Sequence, residues 1–177
     1  GEDSAYVAAV LSGWAERFLP DIKAGGLRAD DGEVVVADAH DGLFPQWIAA
    51  GPRHQLRADE PESVGGTDTG PGPYDYLLAA LGACTNMTIK MYADRKGWTI
   101  DRLETRLRHA KVHAEDCADC ETRGGKVDRI ERRLLIDGPL DADQKAKLRE
   151  IADKCPVHRT LHSEISIVTT MDGAESE

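Results

Sequence analysis

Apolar positions along the chain change rhythm from one stretch to the next, and each rhythm predicts an element. Between Ser4 and Leu19, residues Val7, Val10, Leu11, Trp14, Ala15 and Phe18 recur at spacings of three and four, the stripe of an amphipathic helix. Ser4 is placed to cap its start and Pro20 to end it. A Gly-rich, charged connector fills residues 21–32. From Glu33 the rhythm shortens to that of strands: "EVVVADA", a turn at Asp41 and Gly42, "FPQWIAAG" and "RHQLRAD" predict a small antiparallel meander. The next fourteen residues, "EPESVGGTDTGPGP", hold four Gly and three Pro and predict an irregular loop.

A long helix is predicted from Pro73 to Lys96, with proline in its first turn and Gly97 at its end. Leu77, Ala80, Leu81, Cys84, Met87, Thr88 and Met91 fall on one stripe, which puts Cys84 on the apolar side. The small residues Ala79, Ala80, Gly82 and Ala83 predict close approach of another helix. Two alternating runs, "LETRLRHAKVHA" and "KVDRIERRLLIDG", read as half-exposed strands whose charges, including those of "DRIERR", face water. A short helix from Asp141 to Asp153, the stretch "KCPVHRTL", a last strand "EISIVTT" and an acidic tail complete the order. Strands, helix, strands, helix and strand make an α+β fold. The predicted organisation is a helix over 1–20, a linker over 21–32, one domain over 33–171 and a flexible tail over 172–177.

Composition narrows the function. Among 177 residues, 32 acidic against 22 basic side chains leave a net charge of −10, which argues against nucleic-acid partners and polybasic membrane anchoring. No stretch approaches the roughly 18 apolar residues of a membrane span, and the N-terminal layout is not that of a secretory signal. A cytoplasmic protein acting on small molecules is the expectation.

Four cysteines, at 84, 117, 120 and 155, are too few for a disulfide-built scaffold. Cys155 precedes Pro156 and so can cap a new helical turn, where free N–H groups favour a thiolate; Lys154, His158 and Arg159 add positive charge nearby. Cys84, mid-helix, has no such local help. Taken singly, each thiol reads first as a small, inert core residue. His113, Cys117 and Cys120 have the spacing of half a zinc site, of a loop disulfide or of plain loop residues. No cofactor motif is present.

Together, "GGTDTGPGPYDYLLAALGACTNMTIKMYADRKG" and "IADKCPVHRTL" resemble the superfamily of osmotically inducible protein C and organic hydroperoxide resistance proteins, over roughly Glu33 to Met171. The resemblance implies an intertwined homodimer with long central helices and a cysteine peroxidase for organic hydroperoxides. It also implies that Cys84 attacks the peroxide, that Cys155 closes a disulfide with it and that a dithiol reduces the product, with neither metal nor cofactor. In the better-known members a glutamate ten residues before the first cysteine holds an arginine from the partner chain's N-terminal hairpin. Here Tyr74 stands at that position with Asp75 beside it, and the hairpin at 34–51 contains no arginine. Tyr74, Asp75, Arg53 and His54 are therefore the candidates for supporting the thiolate, with His40 a further substitute. The competing expectation is a non-catalytic dimerisation or small-molecule-binding module attached to a hydrolase. The segment "GEDSAYVAAVLSGWAERFLP" resembles the last helix of an α/β-hydrolase, and reads equally as a helix packing on its own domain.

Overall fold

A computed structural model describes residues 26–116 and 124–171, together with Val7. The expected N-terminal helix, the cysteines at 117 and 120 and the acidic tail lie outside the described residues, apart from Val7, which is helical and exposed. Two compact units divide between Tyr76 and Leu77.

In the first unit, β1 (Val34–Asp38), β2 (Gln46–Ala50) and β3 (His54–Ala58) form an antiparallel sheet in that order. Val34 pairs with Ala50, and Gln46 with Ala58. Trp47 faces Arg57 across the second pairing, and the Arg57 guanidinium lies 4.7 Å from the centre of the indole, a cation–π contact.

The Gly- and Pro-rich loop after β3 is anchored by one carboxylate. Asp59, only 2 % exposed, accepts hydrogen bonds from the backbone N–H of Thr67 (3.0 Å) and Thr69 (3.1 Å) and from both hydroxyls (2.7 and 3.0 Å). Gly66 must be glycine here, because a Cβ would sit 1.7 Å from the Glu60 carbonyl oxygen. The loop leads into α1 (Pro73–Lys96), which crosses the division between the units.

Beyond α1, the second unit contains the hairpin of β4 (Arg102–His113) and β5 (Lys126–Asp137), then α2 (Ala142–Ala152) and α3 (Pro156–Leu161). The hairpin register runs from Arg102 opposite Asp137 to His113 opposite Lys126. Asp141 caps α2 with a reciprocal bond to Gln144, a capping box. The core is built from Ile89 and Ala93 of α1 against Leu148 and Ala152 of α2, surrounded by Tyr92, Trp98, Ile100, Leu103, Leu134, Ile136 and Leu140.

Three expectations are corrected. The buried residues of α1 are Leu81, Gly82, Thr85, Ile89 and Ala93, not the stripe through Cys84, Met87 and Met91; Met87 and Met91 are 64 % and 57 % exposed. The helix is apolar on more than one side, so spacings of three and four fit two stripes, and packing against α2 and the hairpin selects the one through Thr85. Gly82 does permit a close approach, but there the neighbour is a strand: a Cβ on Gly82 would lie 2.8 Å from Leu107 Cδ1 of β4. The segment 164–170, expected as a strand, forms none. A strand exists only through a hydrogen-bonded neighbour, and Ile165, Ile167 and Val168 stay exposed.

A buried thiol between two helices and an arginine

Cys155 occupies the N-cap of α3, with Pro156 at the first helical position, as its sequence context predicts. Its Sγ accepts a hydrogen bond from the His158 backbone N–H at 3.3 Å, and the residue has no solvent exposure. The other side of the sulfur faces α1, where the Thr85 hydroxyl lies 3.7 Å away. Thr85 follows Cys84 directly in the helix and is itself fully buried. Cys84 is half-buried, and both thiols are free.

The cation at this site is one whose charge alone assigned it to a solvated face. Arg132 of β5 donates from Nη1 to Thr85 Oγ1 and to the Ala152 carbonyl, both at 3.1 Å, and its Nη2 pairs with Asp153. Its side chain is only 14 % exposed, so the reading of "DRIERR" as a wholly solvated face fails at Arg132. A sequence signal existed: Arg132 shares the inward rank of β5 with Ile130, Leu134 and Ile136, and a charge in an apolar rank requires a buried partner. Arg132 and Asp153 also border an open groove of about 470 Å³ with Leu134, Ile136, Lys145 and Arg149.

His158 lies at the edge of this network, with Nδ1 3.7 Å from Asp153 and its ring 4.5 Å from that of His162. Burial first, then the charges of Arg132 and His162, push its imidazole below the ordinary histidine value against an opposing pull from Asp153. A neutral imidazole is thereby favoured beside Cys155.

The other candidates have different settings. Asp75 accepts the Gly72 N–H at 3.0 Å, closing the first turn of α1 where a carboxylate also meets the helix dipole favourably. Tyr74 is exposed in the same turn. Arg53 and His54, at the β2–β3 turn, are exposed and border a cavity of about 250 Å³ with Leu27 and Gln55. These four belong to the first compact unit and Cys84 to the second. His40 is exposed between β1 and β2, its backbone N–H bonded to Asp38 at 2.8 Å. His113 ends β4 on the surface, and among the described residues no three ligating side chains gather as a metal site would need.

The sequence model of the OsmC-like protein family matches residues 66–170, well over half of the chain and including both Cys84 and Cys155. The chain belongs to the OsmC-like family. Among solved structures it is similar to the OsmC-like protein of Mycoplasma pneumoniae, at 21 % identity and a TM-score of 0.56, covering 73 % of this chain and 86 % of that one. An organic hydroperoxide resistance protein from Legionella pneumophila gives 17 % identity and a TM-score of 0.53, with 73 % and 87 % covered. One from Elizabethkingia anophelis gives 14 % and 0.53, with 76 % and 88 % covered. At these identities the likeness concerns the fold, which is the OsmC-like α+β architecture. No curated protein sequence matches the chain.

Proposed function

We propose that this OsmC-like protein is a thiol-dependent peroxidase that reduces organic hydroperoxides through Cys84 and Cys155. The observation that carries the reading is the burial of Cys155 against Thr85, the neighbour of Cys84 in α1, beside a guanidinium. Family membership and the solved organic hydroperoxide resistance proteins of the same fold support it. The half-buried Cys84 is the thiol open to a substrate, and the fully buried Cys155 suits the second step.

In the proposed cycle the Cys84 thiolate attacks the peroxide oxygen. An S–O bond forms, the O–O bond breaks and the alkoxide leaves as the alcohol after taking a proton, so Cys84 becomes a sulfenic acid. Cys155 then forms the S–S bond, the sulfenic oxygen leaves as water, and an external dithiol restores both thiols by exchange.

A homodimer is part of the proposal. It is supported by the exposed stripe of Ala80, Met87 and Met91 beside Cys84, which presents apolar surface from a central helix. No helix among the described residues is long and apolar enough to cross a membrane; a cytoplasmic location and attachment to a preceding hydrolase domain belong to the same reading.

The test is consumption of cumene hydroperoxide with a dithiol reductant. Turnover is expected to vanish in Cys84→Ser and to fall strongly in Cys155→Ser, with a Cys84–Cys155 disulfide seen by mass spectrometry in the wild type after brief peroxide treatment. Wild-type consumption no faster than that of Cys84→Ser would reject the proposal in favour of a non-catalytic module.

A further inference from the structure

We infer that Thr85, oriented by Arg132, is a positioning residue for Cys155: its hydroxyl turns from the Leu81 carbonyl to the Cys155 sulfur when that sulfur carries charge, and so speeds attack on the Cys84 sulfur. The inference rests on the cysteine pairing proposed above and assigns the group that makes the second thiol competent.

A threonine hydroxyl has one proton to donate and two lone pairs. Arg132 Nη1, at 3.1 Å, occupies one of the lone pairs, and a guanidinium only donates. The hydroxyl proton is therefore directed toward one of two acceptors, the Leu81 carbonyl at 2.7 Å or Cys155 Sγ at 3.7 Å. Leaving Leu81 is cheap, because the α-helical ladder already gives that carbonyl a backbone partner. With the thiol protonated, Cys155 needs little from Thr85. With the thiol ionised, a fully buried sulfur has no water to solvate it, and a missing donor would be costly.

Two donors then meet the charge: the His158 backbone N–H and the Thr85 hydroxyl. The second is polarised by a permanent cation whose far nitrogen is balanced at the surface by Asp153. In the step itself Cys155 Sγ bonds to Cys84 Sγ, the S–O bond of the sulfenic acid breaks, and the departing oxygen leaves as water with the proton that Cys155 gave up.

The step can be watched without peroxide. In the full chain carrying Cys117→Ala and Cys120→Ala, dithiobis(nitrobenzoate) is expected to release one coloured thiolate as it caps Cys84, and a second as Cys155 displaces the cap. Because hydrogen bonds to charged groups are the strong ones, Thr85→Val and Arg132→Met are expected to slow the second release about ten-fold or more, with the first release changed less than about two-fold and Thr85→Ser near wild type. A second phase unchanged in Thr85→Val, a Thr85→Ser variant as slow as Thr85→Val, or a wild type without the second phase would each overturn the inference. Failure of the peroxidase proposal is a separate result, in which cumene hydroperoxide leaves Cys84 unoxidised while both releases occur as expected.

Discussion

At the scale of single residues, the chain places Arg132 and Asp59 in dry surroundings and gives each several hydrogen-bond partners. Arg132 has Thr85, Ala152 and Asp153. Asp59 has both N–H groups and both hydroxyls of Thr67 and Thr69, with the Glu60 N–H as well. Burial alone would raise the Asp59 carboxyl, but the bonds from Thr67, Thr69 and Glu60 outweigh it and hold the group well below the usual carboxylate range. A depressed carboxylate pKa stabilises the fold above the unfolded value, and that contribution is lost as acid protonates the native state. Asp59→Asn is therefore expected to lower the melting temperature at pH 7, with the gap to wild type narrowing as the pH falls below about 4. An equal gap at pH 3 and pH 7 would show that the carboxylate charge is not the cause.

At the scale of elements, α1 serves two purposes with two faces. One face carries Thr85, Ile89 and Ala93 into the core, and the other leaves Met87 and Met91 outside. Thr105 of β4 donates to Asn86 at 2.6 Å, which helps fix the rotation of the helix and with it the direction in which Thr85 faces Cys155. Ile89, with no solvent exposure, fills the centre of the contact with Leu148. Ile89→Ala is expected to cost about 2–5 kcal/mol through lost transfer energy and the cavity left behind, measured by urea unfolding. A loss under about 1 kcal/mol would mean that the α1–α2 contact repacks without it.

At the scale of the whole molecule, the exposed apolar surface among the described residues includes Met87 and Met91 on α1 and the C-terminal run at Ile165, Ile167, Val168 and Met171. The proposed homodimer accounts for such surface as interface. Sedimentation is expected to give a dimer for the wild type and a monomer for the Met87→Glu, Met91→Glu double variant, since two carboxylates in an apolar contact are costly to desolvate. A wild type that sediments as a monomer would remove the dimer from the proposal.

The sequence by itself determined what depends on neighbours along the chain. The bounds of α1, from Pro73 to Gly97, follow from a proline tolerated at the start and a glycine at φ +66° past the end. The meander, the two long strands after α1 and the proline-started turn after Cys155 follow in the same way, because periodicity and capping are short-range properties. Tertiary structure alone decided which of two apolar faces of α1 is buried and that segment 164–170 is no strand, since both depend on what lies opposite. It also decided the setting of Cys155. Arg132 and Thr85 are 47 positions apart and Thr85 and Cys155 are 70 apart, so no local pattern relates them. Packing α1 against β5 and α2 puts a strand arginine, a helix hydroxyl and a capping thiol in one dry place, where a single hydrogen bond can govern reactivity.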